Sequence, residues 1–121
     1  MKAVVNLLKL QNQIRILHWQ ANGYGEHKAL GKAYEQLDEL IDQLVEVDSG
    51  KYGKLKLDSH VSIELVNSNE ISTMDMLDEF TGYLTTKFAD NFDVVKDSDC
   101  LNIRDEILAV INRLKYLLTL K

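Results

Sequence analysis

Two histidines and two carboxylates carry most of the chemistry this chain could do. His18 lies in the run His18-Trp19-Gln20-Ala21-Asn22-Gly23, where one apolar-periodic stretch ends; His27 opens the next. Asp42 and Glu46 follow, one helical turn apart. Neutral imidazole nitrogen and anionic carboxylate oxygen together make a ligand set for iron and other first-row divalent metals. Each residue also has a plainer reading. Glu35, Asp38 and Glu39 surround the two carboxylates, and an acidic helix face is ordinarily just solvated. A single histidine is ordinarily a packed or surface side chain. His60 lies in the long connection between helices 2 and 3, with no second histidine or cysteine near it in sequence, and is not assigned. Cys100 falls in the first turn of an expected helix, where the helix dipole can lower a thiol pKa, but no histidine is near it to act as a base. There is no Gly-rich phosphate loop, no paired-cysteine zinc pattern and no aromatic platform for stacking bases.

Four amphipathic helices position these residues. The first is expected over residues 2–20, with Ala3, Leu7, Leu10, Ile14 and Leu17 on one stripe. Asn22-Gly23-Tyr24-Gly25 breaks it, because Asn and Gly tolerate turn conformations. The second is expected over residues 26–48, with Leu30, Ala33, Tyr34, Leu37, Ile41 and Leu44 facing the core and Gly50 as its stop. Residues 49–71 alternate in polarity and read as an extended segment lying on a surface, with a short helix as the alternative. The third helix starts at Ser72, an N-cap with Asp75 three residues on, and reaches about residue 90, with Leu77, Phe80, Leu84 and Phe88 on its stripe. The fourth follows the cap cluster Asp97-Ser98-Asp99 and runs to about residue 120, with Ile103, Ile107, Val110 or Ile111, Leu114 and Leu117 on its stripe. Short, long and short connections imply an all-α four-helix bundle with one long crossover between helices 2 and 3, up-down-down-up, as a single domain over residues 1–121.

Composition agrees with a soluble globular domain. The chain has 121 residues, 45% hydrophobic and 27% charged, and no proline to interrupt a helix. No apolar run is long enough to span a bilayer, and the first residues read as helix, not as a signal peptide. One cysteine fits a reducing compartment, and a cytoplasmic protein is expected. The net charge of -5, with no basic stripe, opposes DNA binding.

The first helix has a second apolar face. Val5, Leu8, Ile16 and Trp19 fall roughly opposite its core stripe. An exposed patch of that kind calls for a cover. A symmetric homodimer, or a higher homo-oligomer built on it, is expected; the alternative is that the crossover folds back over this face. Asp42 and Glu46 lie more than about 100° from the middle of the second helix's core stripe. They therefore point outside the bundle, where only another copy could bring them further ligands.

These elements resemble the Dps-like mini-ferritins of the ferritin-like superfamily, and more loosely the small ferritin-like proteins of bacteriophage genomes. In that family a His-Trp dipeptide ends the first helix, a second His opens the next, and an Asp and a Glu lie four residues apart further along. His18, Trp19, His27, Asp42 and Glu46 match those positions, over about residues 7–46. The resemblance implies an iron-binding protein, with the histidines of one subunit facing the carboxylates of its two-fold mate. Ferrous iron would be oxidised there; zinc and manganese are also open as metals. Three departures stand beside it. Gly31 stands where the family usually has a further Asp, the turn between helices is shorter, and no lysine-rich tail precedes the first helix. The alternative function is a non-catalytic ferritin-like bundle with a structural or interaction role and a degenerate metal site.

Overall fold

The structure, a computed structural model, describes residues 2–120. It holds four α-helices: α1 (Lys2–Trp19), α2 (Tyr24–Tyr52), α3 (Thr73–Thr85) and α4 (Ser98–Leu118), with a 3-10 turn at Lys87–Asn91 between the last two. There is no strand among the described residues, and no helix is long and apolar enough to cross a membrane.

The core is the sum of the expected stripes. Leu7, Leu10, Ile14 and Leu17 of α1 are buried against Leu30, Leu37, Ile41 and Leu44 of α2 and Ile103, Ile107, Ile111 and Leu114 of α4. Full burial of such a side chain is worth about 1.5–3 kcal/mol, which is why the helical period was readable. Side-chain contacts fix the helix directions. Lys51 at the end of α2 pairs with Asp99 at the start of α4, so these two run antiparallel. Arg104 of α4 donates to the Leu84 carbonyl of α3 at 2.9 Å, and Lys115 pairs with Asp78 at 2.8 Å, so α3 and α4 are antiparallel too. Around the bundle the order is α1, α2, α4, α3; α1 and α3 touch little directly, and the 3-10 turn after α3 meets α1.

Three boundaries differ from the sequence expectation. Helix α2 runs through Gly50 and stops at Gly53, whose φ of 93° is the left-handed conformation that ends a helix cheaply only at glycine. The extra turn is held from outside, because Lys51 and Tyr52 both reach Asp97 across the bundle. Helix α3 stops at Thr85, short of residue 90. The hydroxyls of Thr85 and Thr86 bond back to the carbonyls of Thr81 and Gly82, a competition that destabilises a helix end and tightens it into the 3-10 turn. Phe88, expected on the α3 stripe, is still fully buried, but from that 3-10 turn. Asp97 also departs from its expected part. Its side chain does not cap α4. Ser72 does act as expected: its hydroxyl accepts from the Asp75 amide at 3.0 Å.

The crossover, residues 53–72, has no regular secondary structure and is almost wholly exposed. It is stitched to α1. The buried Gln13 amide exchanges two hydrogen bonds with the Val66 backbone, each at 2.9 Å, as a neighbouring strand would. Gln20 donates to the Asn67 side-chain oxygen and accepts from the Ser68 amide, at 2.8 Å each. The second apolar face of α1 is therefore divided. Val5 shares a surface recess with Leu57 and Val61 of the crossover. Leu8 and Trp19 remain uncovered, at 38% and 61% exposed.

Candidate metal centre

His18 sits in the last turn of α1 and His27 in the first turn of α2, so the tight turn between the helices brings them together. Their rings stack, with centroids 3.8 Å apart and planes 17° apart. Each Nδ1 faces the backbone carbonyl of the other residue: His18 Nδ1 to the His27 oxygen at 2.6 Å, His27 Nδ1 to the His18 oxygen at 2.9 Å. A carbonyl only accepts, so each Nδ1 must donate. That commits the proton of both neutral rings to Nδ1 and leaves a lone pair on each Nε2. Orientation of a metal-binding imidazole by a backbone carbonyl on its other nitrogen is how such ligands are commonly held.

Gly31 is part of this arrangement. A Cβ at that position would lie 2.7 Å from His18 Cε1 and 3.1 Å from its Nδ1. The ring cannot retreat without giving up its stack and its hydrogen bond. The residue that departs from the mini-ferritin pattern is thus the one that admits the His18 ring.

The carboxylates lie elsewhere. Asp42 and Glu46 are exposed on α2, on the edge of a shallow depression shared with Glu39, Gln43 and Val47. Asp42 is fifteen residues beyond His27 on one continuous helix, about 22 Å along its axis. One copy of the chain therefore joins the two histidines and leaves both carboxylates out. Among the described residues no group of three or more His, Cys, Asp or Glu side chains is close enough to hold a metal ion. His60 is exposed in the crossover.

Between the histidines and the carboxylates, the outer seam of α1 and α2 carries a polar ladder that the sequence did not reveal. Gln11 donates to Asp38 at 2.8 Å, and Arg15 donates to the Tyr34 hydroxyl at 2.6 Å. The Arg15 guanidinium also lies over two aromatic rings, 5.0 Å from Trp19 and 4.5 Å from Tyr34.

A second polar cluster ties the far end of the bundle. Asp97, almost fully buried, accepts from the Tyr52 hydroxyl at 2.6 Å, from the Asp93 amide at 2.8 Å and from Lys51. These bonds hold its carboxyl below the ordinary range, the Tyr52 bond most of all. Asp48, close by, is shifted the other way, first by burial and then by the Asp97 charge. Cys100 is wholly buried next to this cluster. Burial, then the Asp99 charge, pushes its thiol up to about 11, so desolvation outweighs any help from the helix dipole. In sequence, Asp97-Ser98-Asp99 was indistinguishable from a helix cap.

No curated protein and no solved structure matches the chain. A family model does match, over residues 18–118, beginning at the first of the two stacked histidines and ending with α4. The chain belongs to the family described as a family of unknown function (DUF5856).

Proposed function

We propose that two copies of this chain build an iron site between them and oxidise ferrous iron there, in the manner of the Dps-like mini-ferritins. The observation that carries this reading is the histidine pair: two rings locked by reciprocal Nδ1 hydrogen bonds, each with its Nε2 lone pair uncommitted. Two antiparallel hairpins joined by one long crossover are also the plan of a ferritin-like bundle.

A second copy supplies what one copy lacks. For His27 to meet the partner's Asp42, a two-fold axis must cross α2 midway between them, close to Tyr34. At that height the surface presents Arg15, Tyr34 and the exposed Trp19, an aromatic and guanidinium patch of the composition favoured at protein interfaces. Asp42 lies about 60° around α2 from His27 and Glu46 about 100°, so both are on the same outer side as the histidine. His18 and His27 would give neutral nitrogens, and the partner's Asp42 and Glu46 hard anionic oxygens. Iron is the substrate. Each ferrous ion loses one electron to oxygen or peroxide admitted at an open coordination position. Zinc or manganese would bind the same donors without that outcome. The net charge of -5 gives DNA binding no part in this reading.

Anaerobic titration with ferrous iron, followed by oxygen, tests the proposal. Binding should need His18, His27, Asp42 and Glu46, and leave Glu39→Gln unaffected. If iron oxidises no faster than in buffer, and Glu46→Gln binds as the parent does, the non-catalytic bundle is the correct reading.

A further inference from the structure

The link between α1 and α2, residues 20–23, ends in the pair Asn22-Gly23, both exposed. An asparagine side chain can react with the backbone of its own chain. The amide nitrogen of the next residue attacks Cγ, a five-membered imide closes, and the side-chain nitrogen leaves as ammonia, taking the backbone proton with it. Water then opens the imide. Opening at Cγ gives aspartate. Opening at the main-chain carbonyl gives isoaspartate, whose backbone runs through Cβ and is one carbon longer. The attacking N–H must be free, and the chain must be able to turn it onto Cγ. Glycine meets the second need best, because it has no Cβ to restrict the backbone or obstruct the approach.

The chain has eight asparagines, and at seven of them the following amide is already engaged. Asn6 and Asn12 lie inside α1, and Asn102 and Asn112 inside α4, where that amide belongs to the helical ladder. After Asn91 the Phe92 amide donates to the Ala89 carbonyl at 3.0 Å, and after Asn69 the Glu70 amide donates to the Asn67 carbonyl at 2.9 Å. Asn67-Ser68, the other pair with a small second residue, is clamped twice by Gln20. The Ser68 amide donates to the Gln20 side-chain oxygen, and the Gln20 nitrogen donates to the Asn67 side-chain oxygen, each at 2.8 Å. Asn22 is the exception. Among the described residues neither its side chain nor the Gly23 amide makes a hydrogen bond. A Cβ built on Gly23 would meet nothing within 4 Å, so the space around the attack is open as well.

We propose that Asn22-Gly23 is a site of spontaneous modification by imide formation and hydrolysis, and that its isoaspartate product breaks the His18–His27 pair. The pair depends on the length of this link, because each ring bonds to the backbone carbonyl of the residue on the far side of it. An extra backbone carbon shifts one helix end against the other, where the ring centroids are only 3.8 Å apart. The aspartate product keeps the original backbone, and the pair with it. The reaction needs neither a metal nor a second copy, so it stands apart from the iron reading.

The test ages the full chain in neutral buffer at body temperature. Peptide mass spectrometry follows the mass gained when NH2 is exchanged for OH, and isoaspartate-specific enzymatic methylation separates the two products. Asn22 should convert first. Asn67 should convert at about a tenth of that rate or less, since two hydrogen bonds must break before its imide can close. Gly23→Ala, at a φ of -121° that any residue adopts, should slow Asn22, and Gln20→Ala should speed Asn67. By NMR the ring resonances of His18 and His27 should move in the isoaspartate fraction and stay close to those of fresh protein in the aspartate fraction. No conversion at Asn22, equal rates at Asn22 and Asn67, or unchanged histidine resonances in the isoaspartate fraction would each overturn the proposal.

Discussion

A single methyl group at position 31 measures how firmly the histidine pair is held. Alanine in the middle of a helix is ordinarily worth about 0.5–1 kcal/mol more than glycine. Here the added Cβ meets the His18 ring at 2.7 Å, and pressing a side chain into filled space costs about 1–3 kcal/mol. Gly31→Ala should therefore lower the melting temperature slightly and abolish most iron binding, whereas Gly25→Ala, which meets nothing within 4 Å, should leave iron binding intact. Iron titration and thermal melts of the two variants check this. A gain in stability at position 31 with iron binding unchanged would mean the ring is free to move. Cys100 gives a second test at this scale. With its thiol buried and pushed up to about 11, it should resist thiol reagents at neutral pH in the folded protein and react once denaturant is added. Fast labelling of the native chain would contradict that burial.

At the scale of elements, the knot around Asp97 decides how α2 and α4 are joined. Its carboxyl is held below the ordinary 3.8, so its contribution to stability is complete above that value and is lost as the pH falls through the lower value of the folded state. Asp97→Asn should melt at a lower temperature than the parent at neutral pH, and the gap should shrink as the pH drops below about 4. Asp48 works in the opposite sense. Its raised value means that its charged form costs stability at neutral pH, a cost relieved on acidification. The comparison is therefore cleanest in an Asp48→Asn background. A gap that does not change with pH would show that the Asp97 charge is not what ties the helices. This cluster also shows why sequence reading stopped where it did. The stripes of α1, α2 and α4 were legible because burial repeats with the helical period. The extra turn of α2 past Gly50 was not, because it is held by residues 45 positions away. The early end of α3 was written in Thr85 and Thr86, but only as a weak local preference. His18 and His27 were visible as candidate ligands. Their stacking was not, since it depends on the length of the turn and on the space left by Gly31.

For the whole molecule, the open question is one of copies. Trp19 is 61% exposed beside the seam where the proposed two-fold axis passes, and Leu8 is exposed on the same helix. Truncating a tryptophan anchor at a buried interface costs roughly 2 kcal/mol or more, about thirtyfold in dissociation constant. Trp19→Ala should weaken self-association by at least about that factor in sedimentation, and iron oxidation should fall with it. A parent chain that sediments as a monomer at micromolar concentration would remove the shared site, since one copy keeps His27 and Asp42 about 22 Å apart along α2, with Glu46 further still.

The bare crossover has a consequence of its own. Lys54 and Lys56 stand exposed in a stretch without helix or strand, where a protease can fit the backbone into its cleft. A cut there would divide the chain into two hairpins, α1 with α2 and α3 with α4. The broad contact between α2 and α4 runs across that division, so the halves should stay together after cleavage and separate only in denaturant. The fold is then two separable pieces that recognise each other, and co-expression of the pieces from two reading frames should rebuild it.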